Sequence, residues 1–406
     1  MNFPETNTPK LLIIAALQGL SFYAAFEKIF FQENGLSIIE IAILTIVFSI
    51  TIIVLEVPSG ALSDRWVRKH VLSLSILASI ISLLMFATSD TFIRFAFGIL
   101  FAGVAFVCNS GTNTSILYDS LKEVGATTLF EKYLATRRIM YGAGFAIASL
   151  VGGWLANKYG IAITIWATLF TLIPALLLCA SLREPKFTKT TGELTYFSHI
   201  GFTAQQLTRN KFSLNVIVLS IIIMTTNILI EDYSQLYYFA VGFSLLTIGI
   251  LSFFEGIKEM VANYAGSLIS KFNNLSLMYG LFLILMFGSL LLSAVYQNII
   301  GVIGLFIAST MFFMIDVPLL GNFHKQLDSS IRATSESFLN LVTELSKMIL
   351  AIVFASIANV YSIPWAFGTL GLFVGVYACY YWLFVYKVFV KVHISTDTKG
   401  NGSSVA

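Results

Sequence analysis

Residues 60–69 read Gly60-Ala-Leu-Ser-Asp64-Arg65-Trp-Val-Arg68-Lys69, and this short charged stretch separates two long apolar runs. The runs on either side, residues 38–57 and 71–88, are each long enough to cross about 30 Å of hydrocarbon as a helix. Three cations at such a junction belong in water beside a membrane, where anionic headgroups attract them. The stretch therefore predicts a helical hairpin whose connecting loop lies at one membrane surface.

The composition of the whole chain agrees with this interpretation. Of its 406 residues, 57% are hydrophobic and 11% are charged, whereas soluble domains carry about 25% charged residues. This excludes a soluble globular protein and also a disordered chain, which needs low hydrophobicity and many charges. The net charge of +3 is too mild to indicate nucleic-acid binding. The three cysteines lie in apolar runs without metal-site spacing, so we predict no metal and no cofactor.

Outward from the hairpin, the chain contains twelve apolar segments of spanning length. Because every backbone polar group in lipid must be hydrogen-bonded within the segment, we expect each segment to be a helix. The sequence therefore predicts an all-α integral membrane protein. The predicted spans are residues 11–31, 38–57, 71–88, 92–117, 139–156, 161–182, 212–230, 245–269, 275–295, 299–320, 336–358 and 363–386.

Lysine and arginine are distributed unevenly among the connections between these spans. With the N-terminus placed in the cytoplasm, 19 of the 24 basic residues fall on the cytoplasmic side. Cytoplasmic loops carry an excess of lysine and arginine in membrane proteins. We therefore expect a multi-pass protein of the cell membrane (the inner, cytoplasmic membrane) with both termini in the cytoplasm.

The two halves of the chain resemble each other. The segment that begins Gly35-Leu-Ser-Ile-Ile-Glu40 matches one that begins Gly242-Phe-Ser-Leu-Leu-Thr, 207 residues later. In the first copy, Ser37 and Glu40 have the spacing of a capping box, which favours capping over a transport role for Glu40. The repeat predicts two pseudo-symmetric six-helix bundles. The predicted divisions are an N-terminal bundle over 1–182, a cytoplasmic linker over 183–211, a C-terminal bundle over 212–390 and a flexible tail over 391–406.

The loop after the second span resembles the signature loop of the major facilitator superfamily, G-x-x-x-D-R-x-G-R-K. The residues that match are Gly60, Asp64, Arg65, Arg68 and Lys69. The sequence departs from the pattern at Val67, where the family usually has glycine. The resemblance implies the fold of that superfamily, and it implies that this loop latches the two halves together, with Asp64 facing the start of helix 11. The alternative is that these charges only set the topology.

Weaker resemblances point to bacterial drug:proton antiporters of the same superfamily. The segment from Gly144 to Gly153 is similar to the exporter-associated pattern G-x-x-x-G-P-x-x-G-G, with alanine and serine replacing the central Gly-Pro. The run from Leu55 to Gly60 and the Tyr118-Asp119 pair also look like such exporters. Packing of helices through small residues would explain the glycines equally well.

Charged residues inside the spans are the candidates for function, because each costs several kcal/mol unless it faces protein or water. Glu255, Lys258 and Glu259 lie in the middle of the eighth span, on one helix face. One lysine cannot neutralise two carboxylates, so one of these acids could carry a proton. We predict proton coupling at these three residues, with Glu27 and Arg94 as the next candidates.

Other charged residues are candidates for the cavity or its gates. Glu344 and Lys347 have the spacing of an ion pair, and a purely structural pair is an equal alternative. Glu231 and Asp232 are expected at the outer end of the seventh span, where partly solvated acids are the alternative. The full set of cavity and gate candidates is Glu344, Lys347, Glu231, Asp232, Asp119 and Asp316.

These features predict a secondary active transporter that moves a small amphipathic molecule by alternating access, with proton-coupled efflux as the leading function. Aromatic residues on the cavity-type helices would suit a hydrophobic cation, although ordinary packing accounts for most of them. The alternatives are an importer of a nutrient or metabolite, an intramembrane enzyme and a non-transporting scaffold. The chain has no H-E-x-x-H, G-x-S-x-G or P-loop motif, which argues against an enzyme or an ATP-driven pump. We expect a monomer whose partners are a small-molecule substrate, protons and the lipid bilayer.

Overall fold

The computed structural model describes residues 7–65, 67–185, 205, 207, 210–272, 274–326 and 329–390, and residues 57, 59–65, 325–326 and 329–334 are described by their backbone alone. Long helices joined by short connections make up this part of the chain, and it contains no strand. The α-helices are α1 (Thr8–Gly19), α2 (Glu27–Glu33), α3 (Ile38–Arg65), α4 (Arg68–Ala87), α5 (Phe92–Glu123), α6 (Phe130–Tyr159), α7 (Ala162–Ala180), α8 (Lys211–Ala240), α9 (Leu245–Ile269), α10 (Leu275–Val295), α11 (Ile299–Gln326), α12 (Ser329–Val360) and α13 (Ile363–Tyr380). A π-helical turn, Tyr381–Val385, extends α13.

The helices confirm the predicted all-α membrane fold. Within the described residues, eleven helical segments are long and apolar enough to cross a membrane, with α1 and α2 counted together as Thr8–Glu33. The remaining predicted span corresponds to α9, which has 25 residues and is about as long as the other eleven segments. It carries Glu255, Lys258 and Glu259 in its central part, which is why its composition alone does not mark it as a span.

The chain divides into two compact units, Met1–Glu193 with Gly242–Gly256, and Leu194–Val241 with Ile257–Ala406. In the first unit α5 packs against α3 and α4, and α6 packs against α1. In the second unit α10 packs against α11 and α13, and α8 packs against α11 and α12. Most of the predicted linker and the whole predicted tail lie outside the described residues, so the predicted domain boundaries stay predictions.

Small residues form the seam between α6 and the first span. A Cβ atom added to Gly144 would lie 2.5 Å from the carbonyl oxygen of Ala16, and one added to Gly152 would lie 2.5 Å from that of Phe22. On another side of α6, a Cβ atom added to Gly153 would lie 3.1 Å from the Cα atom of Gly249. The glycines of this pattern therefore allow close helix packing, as the packing interpretation predicts.

The predicted first span, residues 11–31, is long and apolar enough to cross a membrane, but its helix is interrupted. The helix α1 ends at Gly19, and α2 begins at Glu27 after a single 3₁₀ turn, Ala24–Phe26. The interrupted backbone is bonded by α7: the Phe22 N–H donates to Thr168 Oγ1 at 3.0 Å, and Thr171 Oγ1 donates to the Leu20 carbonyl at 3.4 Å. A break inside a membrane is tolerated where another helix satisfies the freed groups, and hydropathy does not show that.

The expectation that Glu231 and Asp232 end the seventh span is also wrong. The helix α8 continues to Ala240, so both acids lie within it. The turn that contains Glu231 is supported by Asn227, whose Nδ2 donates to Glu231 Oε1 at 2.7 Å. Several other helices extend past the predicted ends, because residues beyond the hydrocarbon can be polar and still helical.

The predicted local repeat is confirmed in the backbone. Gly35 and Gly242 both adopt positive φ, at +88° and +94°, in the turns that precede α3 and α9. In the first copy the Ser37 N–H donates to Glu40 at 2.8 Å and the Glu40 N–H donates to Ser37 Oγ at 3.2 Å, which is the capping box. In the second copy the Thr247 N–H donates to Ser244 Oγ at 3.2 Å.

Candidate functional site

The signature loop lies at the junction of α3 and α4, as predicted. The backbone of Gly60, Asp64 and Arg65 belongs to the last part of α3, but the side chains of Asp64, Arg65 and Arg332 are outside the described part of the structure. The latch between Asp64 and the start of α12 therefore stays a prediction.

The second part of the loop has a defined set of partners. The Arg68 side chain forms an ion pair with Asp119 at the end of α5. The carboxylate of Glu184 accepts from the backbone N–H groups of Arg68 at 2.7 Å and Lys69 at 3.0 Å. A carboxylate at this position caps the first turn of α4 and favours its helix dipole. Glu184 was not among the predicted site residues, because it lies 115 residues from Lys69 and no local motif marks it.

A neighbouring contact holds the segment that carries Glu184. Asn7 Nδ2 donates to the Arg183 carbonyl at 2.7 Å and to Ser120 Oγ at 2.9 Å, and the Arg183 N–H donates back to Asn7 Oδ1. The predicted cytoplasmic end of the first unit is thus a bonded cluster. A recess of about 290 Å³ beside it is lined by Arg68, Thr114, Ser115, Tyr118, Asp119 and Phe130.

A polar stripe runs along the exposed side of α5. Ser110, Gly111 and Tyr118 are exposed, and Thr114 and Ser115 are half-buried on the same side. Polar groups cannot face hydrocarbon without cost, so this surface of a membrane-spanning helix is expected to face water. Sequence reasoning missed the stripe, although the polar run over residues 109–115 within an otherwise apolar span could have revealed it.

In the second unit, a chain of hydrogen bonds links three helices. Lys258 Nζ on α9 donates to Ser309 Oγ on α11 at 2.8 Å. Ser309 Oγ donates to Asn227 Oδ1 on α8 at 2.8 Å, and Asn227 Nδ2 donates to Glu231 at 2.7 Å. Asn227 and Ser309 are buried, at 3% and 1% exposure, and Lys258 also lies 5.4 Å from the centre of the Phe306 ring. Two neutral side chains therefore join a lysine to a carboxylate.

These groups lie at a common depth along the helices of the second unit. Lys258 and Asn227 are each 13 residues from the helix ends Leu245 and Ala240, or about 20 Å at 1.5 Å per residue. Lys347 on α12 is equally far from the end of its helix, and its Nζ pairs with Glu344 at 2.6 Å. Half of a 30 Å hydrocarbon layer is about 15 Å, so the polar groups form a layer near the middle of the spans.

The remaining predicted residues lie beside Lys258 on α9 or elsewhere in the protein. Glu255 is half-buried and Glu259 is exposed on α9. Glu27 pairs with Lys28 at 3.0 Å in the first unit, and Arg94 pairs with Asp90 in an exposed i,i+4 contact at the start of α5. The structure thus joins Lys258 to Glu231, a pairing that the sequence did not predict.

Asp232 and Asp316 complete the set of predicted acids. Both are half-buried, Asp232 beside Glu231 on α8 and Asp316 on α11. The Asp316 Oδ1 atom is buried and has no hydrogen-bond partner among the described residues. In the part of the chain that the structure describes, no three histidine, cysteine, aspartate or glutamate side chains lie together in a group that could hold a metal ion.

Known proteins resemble the chain over most of its length. A sequence profile described as Major Facilitator Superfamily matches residues 11–335. An uncharacterized MFS-type transporter of Methanocaldococcus jannaschii is 25% identical over 286 residues, which cover 68% of this chain and 70% of that protein.

Solved structures show the same fold. The crystal structure of the nucleoside transporter NupG superposes with a TM-score of 0.76 at 17% identity, covering 94% of this chain and 99% of that one. A bacterial homologue of the human lysosomal transporter Spinster, in an inward-facing conformation, gives a TM-score of 0.76 at 13% identity, covering 95% and 97%. At these identities the likeness concerns the fold alone. The profile match, extending across most of the twelve spans and including the signature loop, establishes that the chain is a membrane transporter that belongs to the Major Facilitator Superfamily.

Proposed function

We propose that the protein is a secondary active transporter that exports a small amphipathic molecule from the cytoplasm in exchange for protons. The observation that carries this proposal is the polar layer in the middle of the second unit, where Lys258 is bonded to Ser309 and, through Asn227, to Glu231. Lys258 is half-buried and Glu231 is exposed at the protein surface. Ionisable groups at this depth of a membrane are costly unless they face protein or water, and in transporters they mark the path of a substrate or ion.

The numbers of acids and bases around Lys258 support proton coupling. Glu255 and Glu259 lie three residues before and one residue after Lys258 on α9, and Glu231 lies at the other end of the hydrogen-bonded chain. A single ammonium group cannot neutralise three carboxylates. Protonation of one acid removes a negative charge and adds a hydrogen-bond donor, so it changes which partners Lys258 can hold.

Alternating access would supply the movement. Two six-helix repeats that rock about a shared central site are a general plan of secondary transporters. The predicted cytoplasmic latch at Asp64 would stabilise one of the two states, and the ion pair between Arg68 and Asp119 with the Glu184 cap would hold the loop in place for it. We expect the protein to act as a monomer in the cell membrane, with both termini in the cytoplasm.

The test is uphill transport in proteoliposomes that carry a pH gradient, with a panel of fluorescent amphipathic compounds as probes. The wild type should accumulate at least one probe, and dissipating the gradient should abolish accumulation. The double variant E255Q/E259Q should lose uphill accumulation, whereas E33Q, at an exposed acid at the end of α2, should retain it. Full uphill accumulation by E255Q/E259Q would show that α9 is not the coupling helix.

Import of a polar metabolite is the second candidate, and the stripe on α5 favours it. Hydroxyl groups such as those of Ser110 and Thr114 suit a substrate with several hydrogen-bonding groups, and a structural neighbour is named as a nucleoside transporter. Everted and right-side-out vesicles under the same pH gradient discriminate the two directions. Uptake of nucleosides or sugars into right-side-out vesicles, without accumulation of amphipathic probes in everted ones, would favour import.

A further inference from the structure

Two adjacent arginines on α6 have no part in the proposed coupling. Arg137 and Arg138 lie seven and eight residues after Phe130, about 10–12 Å from the start of the helix. Near the other end, Lys158 lies 5.3 Å from the ring centre of Trp154, a cation–aromatic pair typical of a membrane surface. About 30 Å of helix separates Lys158 from Arg138, so the two arginines lie at the opposite edge of the hydrocarbon layer.

Arg137 is a partly buried cation without a protein counter-charge in the described part of the chain. It is half-buried, and its Nε atom is buried without a hydrogen-bond acceptor among the described residues. Among the described residues, the two fully buried lysines are paired, Lys28 with Glu27 and Lys347 with Glu344, and the half-buried Arg68 pairs with Asp119. An uncompensated cation in a low-dielectric setting is destabilising, which favours a site that is completed by a ligand.

The arginine pair on α6 lies at the same depth as part of the polar stripe of α5. The rings of Tyr118 and Phe130 meet at a centroid distance of 5.3 Å, which fixes the alignment of these two consecutive, oppositely directed helices. Counting eight residues from that contact along each helix brings Ser110 level with Arg138. Exposed hydroxyl groups and guanidinium groups therefore lie at one depth in the first unit.

We propose that Arg137 and Arg138, with the hydroxyl groups of α5, bind an oxyanion, namely a carboxylate or phosphate group. A guanidinium group donates two parallel hydrogen bonds to such an anion, and a second positive charge with neutral donors strengthens the site. The anion can be the head of the transported amphipathic molecule or a lipid headgroup. If the anion is the head of the transported molecule, the inference rests on the proposed function and the substrate carries a negative charge. Binding of an anion at the two arginines does not depend on proton coupling.

The experiment compares matched probes on the purified full chain in a neutral detergent. Octanoate and octyl phosphate supply the anion, octyltrimethylammonium is the cationic match, and binding is measured by calorimetry. The wild type should bind the anions more tightly than the cation. R137Q/R138Q should bind them about tenfold or more weakly, the factor expected for losing a hydrogen bond to a charged group. K158Q, at an exposed lysine on the same helix, is the matched control and should bind as the wild type does.

A second measurement separates the two sources of the anion. Native mass spectrometry counts bound phosphatidylglycerol and phosphatidylcholine on the wild type and on R138Q, which removes an exposed side chain and should leave the packing of α6 intact. One outcome is that R138Q loses bound phosphatidylglycerol but not phosphatidylcholine, and that phosphatidylglycerol displaces octanoate from the wild type. This outcome supports the site with a lipid headgroup as its ligand. Binding of octanoate and octyl phosphate that phosphatidylglycerol does not displace supports a solute. If the wild type, R137Q/R138Q and R138Q bind all probes and both lipids alike, the anion site is refuted, while uphill transport in proteoliposomes would still support the proposed function.

Discussion

Replacing Gly144 by alanine tests whether the seam between α6 and the first span is set by backbone contact. The added Cβ atom would lie 2.5 Å from the Ala16 carbonyl oxygen and 3.0 Å from the Gly19 carbonyl carbon, and both distances are shorter than ordinary van der Waals contact. Both neighbours are backbone atoms, so the two helices would have to separate by roughly 0.5–1 Å, and overpacking of this kind costs about 1–3 kcal/mol. Gly142, two residues away on the same helix, has nothing within 4 Å of an added Cβ and is the matched control.

Because both changes are Gly→Ala within one helix, the gain in helix propensity of about 1 kcal/mol is common to them and cancels in the difference. G142A should be neutral or more stable than the wild type, and G144A should be less stable than G142A by about 1–3 kcal/mol. Equilibrium unfolding in mixed micelles of dodecyl maltoside and dodecyl sulfate, followed by circular dichroism, measures both free energies. Equal unfolding free energies for the two variants would refute the close packing of this seam.

Three further substitutions, one of them with a matched control, test the polar contacts. Asn227→Leu removes the hydrogen bonds to Ser309 and Glu231 and should destabilise the protein by about 1–3 kcal/mol. Its control is Thr226→Val, at a buried hydroxyl without a hydrogen-bond partner among the described residues, which should be neutral or stabilising in the same unfolding assay. Thr168→Val leaves the Phe22 N–H in the helix break without its acceptor and should cost about 1–3 kcal/mol, with faster hydrogen exchange at that amide. Glu184→Gln weakens the cap of α4 by about 0.5–2 kcal/mol, measured by unfolding, and an unchanged free energy would contradict the capping role.

Local sequence patterns were sufficient to predict the helical spans. Spanning length and backbone hydrogen bonding predict a helix wherever about 20 apolar residues occur together, whatever lies beside them. The turns before α3 and α9 were equally accessible, because a glycine and a serine cap act within a few residues of each other. Gly35 and Gly242, with their matching positive φ angles, show that this part of the repeat could be derived without any tertiary information.

The break in the first span and the partners of Lys258 could not be predicted in this way. Nothing in residues 20–23 terminates a helix, and the groups that bond the freed backbone belong to α7, about 150 residues away. Spacing along α9 suggested Glu255 and Glu259 as the neighbours of Lys258, but a lysine reaches across to other helices. Its Nζ donates to Ser309 on α11, 51 residues away, and this bond leads through Asn227 to Glu231 on α8.

The same three charged residues, Glu255, Lys258 and Glu259, make α9 more polar in its centre than a typical span and form part of the candidate site. Three charged residues near the centre of a span reduce its apparent tendency to enter a membrane, and in isolation each would cost several kcal/mol. The hydroxyl of Ser309 accepts a hydrogen bond from Lys258, and the nearby Phe306 ring interacts favourably with the ammonium group. Neighbouring helices thus offset part of the cost that composition alone assigns to α9. A span that needs its neighbours to be stable in lipid is also one whose stability changes when those neighbours move or when a nearby acid gains a proton, and this dependence is what coupling between proton binding and transport requires.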